Sequence, residues 1–137
     1  MSTIIRPEIS RKNKYWIDRH RHYELKHFCL QYPEWKRAYY LSPGISSSFG
    51  NEPPGSDSHG DPTAKLAMRK VVYMERIELI ERIAGEADKD LRDYILKGVT
   101  EGLSYTYLRT KMNMPCSRDM YYDRYRKFFW LLDNARD

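Results

Sequence analysis

The residues best suited to act on another molecule lie in the run Ser117-Arg-Asp-Met-Tyr-Tyr-Asp-Arg-Tyr-Arg-Lys127. Arginine offers a planar fork of donors that matches phosphate oxygens and the O6/N7 edge of guanine. Tyrosine adds a ring to bury and a polar tip to leave wet. Projected on a helix at about 100° per residue, Tyr121, Tyr125, Phe128 and Leu132 fall in one narrow sector, with Phe129 close by. Arg118, Tyr122 and Arg124 flank that sector, while Asp119, Asp123, Arg126 and Lys127 point away from it. The chemistry expected of this pattern is DNA binding. Arg118 and Tyr122 would reach base edges, and Arg124 or Arg126 a phosphate or a guanine edge, with Lys127 beside them. Ser117, at the helix N-terminus, would place its hydroxyl and nearby backbone N–H groups on a phosphate. Arg109 and Lys111, upstream, would steady the backbone. Asp119 and Asp123 oppose this unless they accept from cytosine N4 or orient an arginine. An amphipathic helix in a bundle would have the same composition.

The elements that must position these residues can be read from their punctuation. Gly102 is a helix stop, and Ser104 can cap a short helix carrying Leu108 and Met112. Asn113 to Cys116 breaks that helix, because Pro115 fixes its own φ and disfavours the helical region at Met114. Ser117 can cap the next helix, with Asp119 in the first turn where the helix dipole favours an acid. A helix begun by Asp88 or Asp90, showing Leu91, Tyr94, Ile95, Leu96 and Val99, would support this pair from beneath. The expectation is a three-helix unit with a helix-turn-helix at 104–135.

Upstream, Asp61-Pro62 is a strong helix start. Leu66, Tyr73, Ile77, Ile80 and Ala84 line one face of that helix, Val72, Leu79 and Ile83 widen it, and Gly85 is expected to end it. The stripe is wide enough for a partner chain, a homodimer being the simplest case, although a core helix is the plainer reading. Residues 42–60 are rich in Pro, Gly and Ser and read as a connector, since they cannot bury enough apolar surface to offset ordering. Residues 1–12 read as a frayed leader. A helix is expected over 13–31 with Trp16, Tyr23, His27 and Leu30 on one side, followed by a short one opened by Pro33 and carrying Trp35, Ala38, Tyr39 and Leu41. The division is therefore 1–41, a basic helical segment; 42–60, a linker; and 61–137, a helical domain. The fold class expected is all-α.

His20, His22, His27 and Cys29 invite a metal reading. Ligands that share an ion on one helix usually sit four apart, and no pair among these four does; His20 and His27 are seven apart, about 10 Å along the axis. Even with Glu24 between them, a polar helix with half-buried histidines is the plainer reading, and no metal or other cofactor is expected.

The chain has 137 residues, a net charge of +5, twelve tyrosines and two cysteines. Positive charge gathers in two places: residues 1–41 hold nine Lys/Arg against four Asp/Glu, and 104–127 hold six against two. That distribution suits a polyanionic partner. No apolar run approaches the roughly 20 residues that span a bilayer, and the first residues lack a signal-peptide core. Cys29 and Cys116 form no C-x-x-C pattern, as expected of a reduced, cytoplasmic protein. With no nucleophile–base set, no paired carboxylates in an apolar setting and no cofactor fingerprint, an enzyme is not expected.

Ile95 to Leu108, together with Cys116-Ser-Arg-Asp-Met-Tyr-Tyr-Asp-Arg-Tyr-Arg-Lys-Phe-Phe128, resembles the phage and prophage late-gene transcription regulators of the RinA/ArpU type. Their C-terminal domains look like region 4 of sigma factors. The shared pattern is a small polar cap, a charged pair, a Tyr-Tyr doublet and a basic run. The likeness covers the last fifty residues by motif and the rest by arrangement only. The aromatic tail Phe128-Phe-Trp-Leu-Leu132 is bulkier than that pattern and points to extra packing or oligomerisation. The resemblance implies sequence-specific binding of double-stranded DNA and transcriptional activation, with RNA polymerase as a further partner. The alternatives are a DNA-packaging protein of small-terminase type and a module that binds protein only.

Overall fold

The computed structural model describes residues 11–41 and 62–136. The first ten residues of the leader, the 42–60 connector and the Asp61 cap lie outside the described residues. Every regular element among the described residues is an α-helix: α1 Arg19–Leu30, α2 Tyr32–Leu41, α3 Pro62–Ala87, α4 Arg92–Glu101, α5 Tyr105–Lys111 and α6 Arg118–Arg136. The all-α architecture matches the periodicity of the sequence.

The first helix starts later than its pattern suggests. Asn13 turns its side chain onto the backbone, Oδ1 accepting from the Tyr15 N–H at 2.8 Å, and its carbonyl accepts from the Trp16 N–H at 3.1 Å. Local bonding of this kind competes with helix, so 11–15 form turns, 16–18 are irregular and α1 begins at Arg19. Its buried face is also not the expected one. His22, Leu25, Phe28 and Cys29 point inward, whereas His27 is exposed and Tyr23 only half-buried. The large rings that drew the expected stripe are amphipathic and lie at the rim. Gln31 forms the corner between α1 and α2, its carbonyl accepting from the N–H groups of both Glu34 and Trp35. Pro33 is accommodated in the first turn of α2, where its missing N–H costs nothing.

The long helix α3 spans about 39 Å at 1.5 Å per residue and touches α2, α4 and α6. It does not stop at Gly85 but continues to Ala87. One glycine inside a helix costs only about 1 kcal/mol, and Glu86, which pairs with Arg82 at 2.8 Å, and the buried Ala87 hold the last turn. Ile77, Ile80, Ile83, Ala84 and Ala87 form its buried side.

One hydrophobic core runs through all of these elements. Leu25, Phe28, Cys29, Tyr32 and Trp35 from the N-terminal pair belong to the same cluster as Ile80, Ile95, Leu108, Met114, Phe128 and Leu132. Segments on both sides of the 42–60 stretch therefore share a core. The pattern of α6 predicts packing on α4, and the helix does touch α4. It lies mainly on α3 and also touches α1, because Tyr121, Tyr125, Phe128, Phe129 and Leu132 need more cover than one ten-residue helix provides. His22 of α1 meets Phe129 edge-on at 5.0 Å, and Arg21 pairs with Asp133 at 2.7 Å. The bulky tail is thus core packing; Trp130 at its margin meets Tyr15 at 5.7 Å.

Helices α4 and α6 approach closely at Gly98. A Cβ built on Gly98 would overlap the hydroxyl oxygen of Tyr121, a ring that is itself buried. Among the described residues that hydroxyl has no hydrogen-bond partner. Overpacking a rigid site costs about 1–3 kcal/mol, so Gly98→Ala is expected to lower stability by that amount in urea denaturation. Tyr121→Phe removes the obstructing oxygen and an unpaired buried polar atom, and should be neutral or stabilising. The double variant should recover most of the loss, a coupling that a double-mutant cycle reads directly.

Candidate nucleic-acid interface

The chain leaves α4 at Gly102, whose φ of 68° is left-handed, a conformation glycine adopts without strain. Ser104 then caps α5, its Oγ accepting from the Tyr107 N–H at 3.1 Å. Helix α5 ends where Asn113 takes a φ of 56°, one of the few non-glycine residues that tolerate this. The reversal lets the Met114 N–H return to the Leu108 carbonyl at 3.0 Å and drives the Met114 side chain into the core. The stop thus depends on Asn113 as well as on Pro115.

The connection between α5 and α6 is braced from α5. The Tyr105 hydroxyl donates to the Cys116 carbonyl at 2.7 Å, and Arg109 Nη1 donates to the Met114 carbonyl at 3.2 Å. Ser117 caps α6, Oγ accepting from the Met120 N–H at 3.2 Å. The Arg118 guanidinium lies over the Tyr105 ring, 5.0 Å from its centroid. Two helices and their turn are therefore held in one arrangement by four side chains.

Around this frame the eight proposed contact residues separate into groups. Ser117 and Arg118 are exposed at the start of α6, and Arg109 and Lys111 are exposed on α5. Arg126 and Lys127 lie two turns further along α6 and are half-buried, as is Tyr122. Tyr122 packs edge-on to Tyr121 and Tyr125 and lines a cavity of about 180 Å³ with Lys26 and Leu30 of α1. Arg124 is held by the fold: Nε donates to Asp88 Oδ2 at 2.9 Å, and Nη1 donates to Asp123. This also accounts for Asp123, one of the two acids that weighed against phosphate binding. Asp119 remains exposed in the first turn.

Asp88, which the sequence marked only as a helix start, is the polar hub behind the interface. Its Oδ1 accepts from the N–H groups of Asp90 and Leu91 at 2.9 and 3.0 Å, turning the chain into α4, while Oδ2 takes Arg124 of α6. Burial alone would raise its pKa. The bonds from Leu91, Arg124 and Asp90 outweigh burial and hold it below the ordinary 3.8. The two cysteines lie in very different settings. Cys29 is fully buried, and burial raises its thiol far above the usual range; Cys116, in the α5–α6 turn, is half-buried and raised for the same reason.

The histidine cluster of α1 does not converge. His20 and His27 are exposed while His22 and Cys29 face the core, and among the described residues no three His, Cys, Asp or Glu side chains gather as ligands. Among them, too, no helix is long and apolar enough to cross a membrane. Comparison with protein-family models, with curated proteins and with solved structures returned no match.

The Asp88 hub has a pH signature. A carboxylate depressed on folding stabilises fully above its unfolded value, and that contribution is lost as pH falls through the folded value. Asp88→Asn is expected to cost about 1–3 kcal/mol at neutral pH through the charge-assisted bond to Arg124. In denaturation from pH 7 downward, the gap to the parent chain should hold to about pH 5 and close below the ordinary 3.8. A gap that persists into stronger acid would assign the loss to shape rather than charge.

Proposed function

We propose that the α5–α6 face binds double-stranded DNA and that the chain is a sequence-specific transcription regulator of phage or prophage type. The observation that supports this best is the bare first turn of α6. Ser117, Arg118, Asp119 and Met120 are all exposed, while Tyr121 and Tyr125 just beyond them are buried. A helix seated along its later turns and bare at its N-terminal end can enter a major groove without any part of the core opening. In this reading Arg118, already oriented over Tyr105, meets a base edge. Ser117 and the first-turn N–H groups take a phosphate, and Arg109, Lys111, Arg126 and Lys127 hold the flanking backbone. Arg124 serves the fold instead. Tyr122 contributes its outer edge only. RNA polymerase enters as a second partner through the resemblance to late-gene regulators.

A protein partner is the second reading. Tyr107 and Met120 are 47% and 42% exposed on this same face, and Asp119 repels phosphate. Ionic strength separates the two. Four cationic phosphate contacts give a slope near −3.6 in log K against log salt, so affinity for duplex DNA should fall on the order of a hundred-fold between 50 and 200 mM. Fluorescence anisotropy with a duplex selected from a random pool measures it. Arg118→Ala should cost about 1–3 kcal/mol and relax preference at one base pair, whereas Lys111→Ala should weaken all duplexes alike. Salt-independent binding, or no duplex recovered from the pool, would leave the protein-binding alternative.

A further inference from the structure

Exposed hydrophobic surface is concentrated at the end of the molecule formed by α2 and α3. Among the described residues seven large hydrophobic side chains are exposed, and five of them belong to the last turn of α2 and the first half of α3: Tyr40, Leu41, Met68, Val71 and Val72. Val71 is 57% and Met68 68% exposed, on the opposite side of α3 from Ile77, Ile80 and Ala84. Ala67, Val71 and Met74 line an open groove there, with Tyr39 of α2 along one edge. Ala64, Ala67, Val71 and Met74 recur at alternating spacings of three and four, the pattern that seats a second helix. Beyond Met74 the same side of α3 turns polar, with Glu78 followed by the Arg82–Glu86 pair. A compact apolar patch with charged margins marks an interface.

The charges beside the patch say what fits it. Lys65, Arg69 and Lys70 occupy the early turns of α3, and Glu75 and Glu78 the turns after them. Lys70, Glu75 and Glu78 line the groove itself. A parallel partner helix of the same sequence would set Glu75 and Glu78 against their own copies. An antiparallel copy related by a two-fold axis at Met74, four positions from each, sets Lys70 of each chain against Glu78 of the other. Such a surface is complementary to itself, which is what a closed two-fold dimer requires.

We infer that the first half of α3 is a homodimer interface, two copies packing antiparallel through Val71 and Met74 with reciprocal Lys70–Glu78 contacts at either end. This is independent of the DNA-binding proposal, and its test uses no nucleic acid. Sedimentation equilibrium of the full chain should give twice the 16.5 kDa chain mass. Val71→Asp should raise the dissociation constant by about 30-fold or more with helix content by circular dichroism unchanged. K70E and E78K should each weaken the dimer, and K70E/E78K together should restore it. A single-chain mass at every concentration, a mass of three or more chains, or a V71D chain that stays dimeric would overturn the interface. A double reversal no better than the single ones would overturn the antiparallel pairing.

Discussion

The fold is governed by the need to remove one face of α6 from water. Tyr121, Tyr125, Phe128, Phe129 and Leu132 sit within about three turns, and burying each fully is worth about 1.5–3 kcal/mol. No single helix is broad enough to cover them. Helices α3, α1 and α4 each take a share, which draws the N-terminal pair into the same core as the C-terminal helices. The rings meet largely edge to face, at 5.0 Å for both Tyr125–Phe129 and Phe128–Phe129, the geometry their quadrupoles favour. Because that apolar face begins only at Tyr121, the first turn of α6 is left bare, and the candidate interface is a by-product of where the core stops.

Polar contacts then set the angle of what the core holds. Asp88 ties the entry of α4 to the flank of α6, and Tyr105 and Arg109 hold the carbonyls of the connecting turn. These are bonds between partly buried groups, at least one member of each being charged or donating to backbone. Their worth lies in direction more than in net stability. They keep α5 and α6 in one register as the bundle fluctuates.

Much of this was legible in the sequence because it is local. Gly102 as a stop, Ser104 and Ser117 as caps and the inward face of α6 all follow from rules that act over four residues or fewer. The start of α1 was hidden by a competing local rule, the side chain of Asn13 turning back on its own backbone. The inward face of α1 departs from its pattern because Tyr23 looks like core but carries a polar tip, whereas His22 looks polar and is buried. Arg124 illustrates what one-dimensional reading lacks altogether. Helical projection puts it on the flank and Arg126 on the outer side, but its structural role is hidden until Asp88, thirty-six positions away, is brought beside it. Gly98 is similar: it looks like a weak point in a helix until the Tyr121 oxygen is seen to occupy the space a methyl would need.

The contrast between the two thiols gives the molecule a built-in pair of reporters. Cys116 lies in the α5–α6 turn and is half-buried, so an alkylating dye can reach it while the bundle stays folded. Cys29 has no exposed surface, and its thiolate is suppressed by burial, so it can be modified only during moments when α1 lifts from the core. Counting adducts over time would therefore clock the opening of the interior against the breathing of the turn, in the unmodified chain and without any introduced label site.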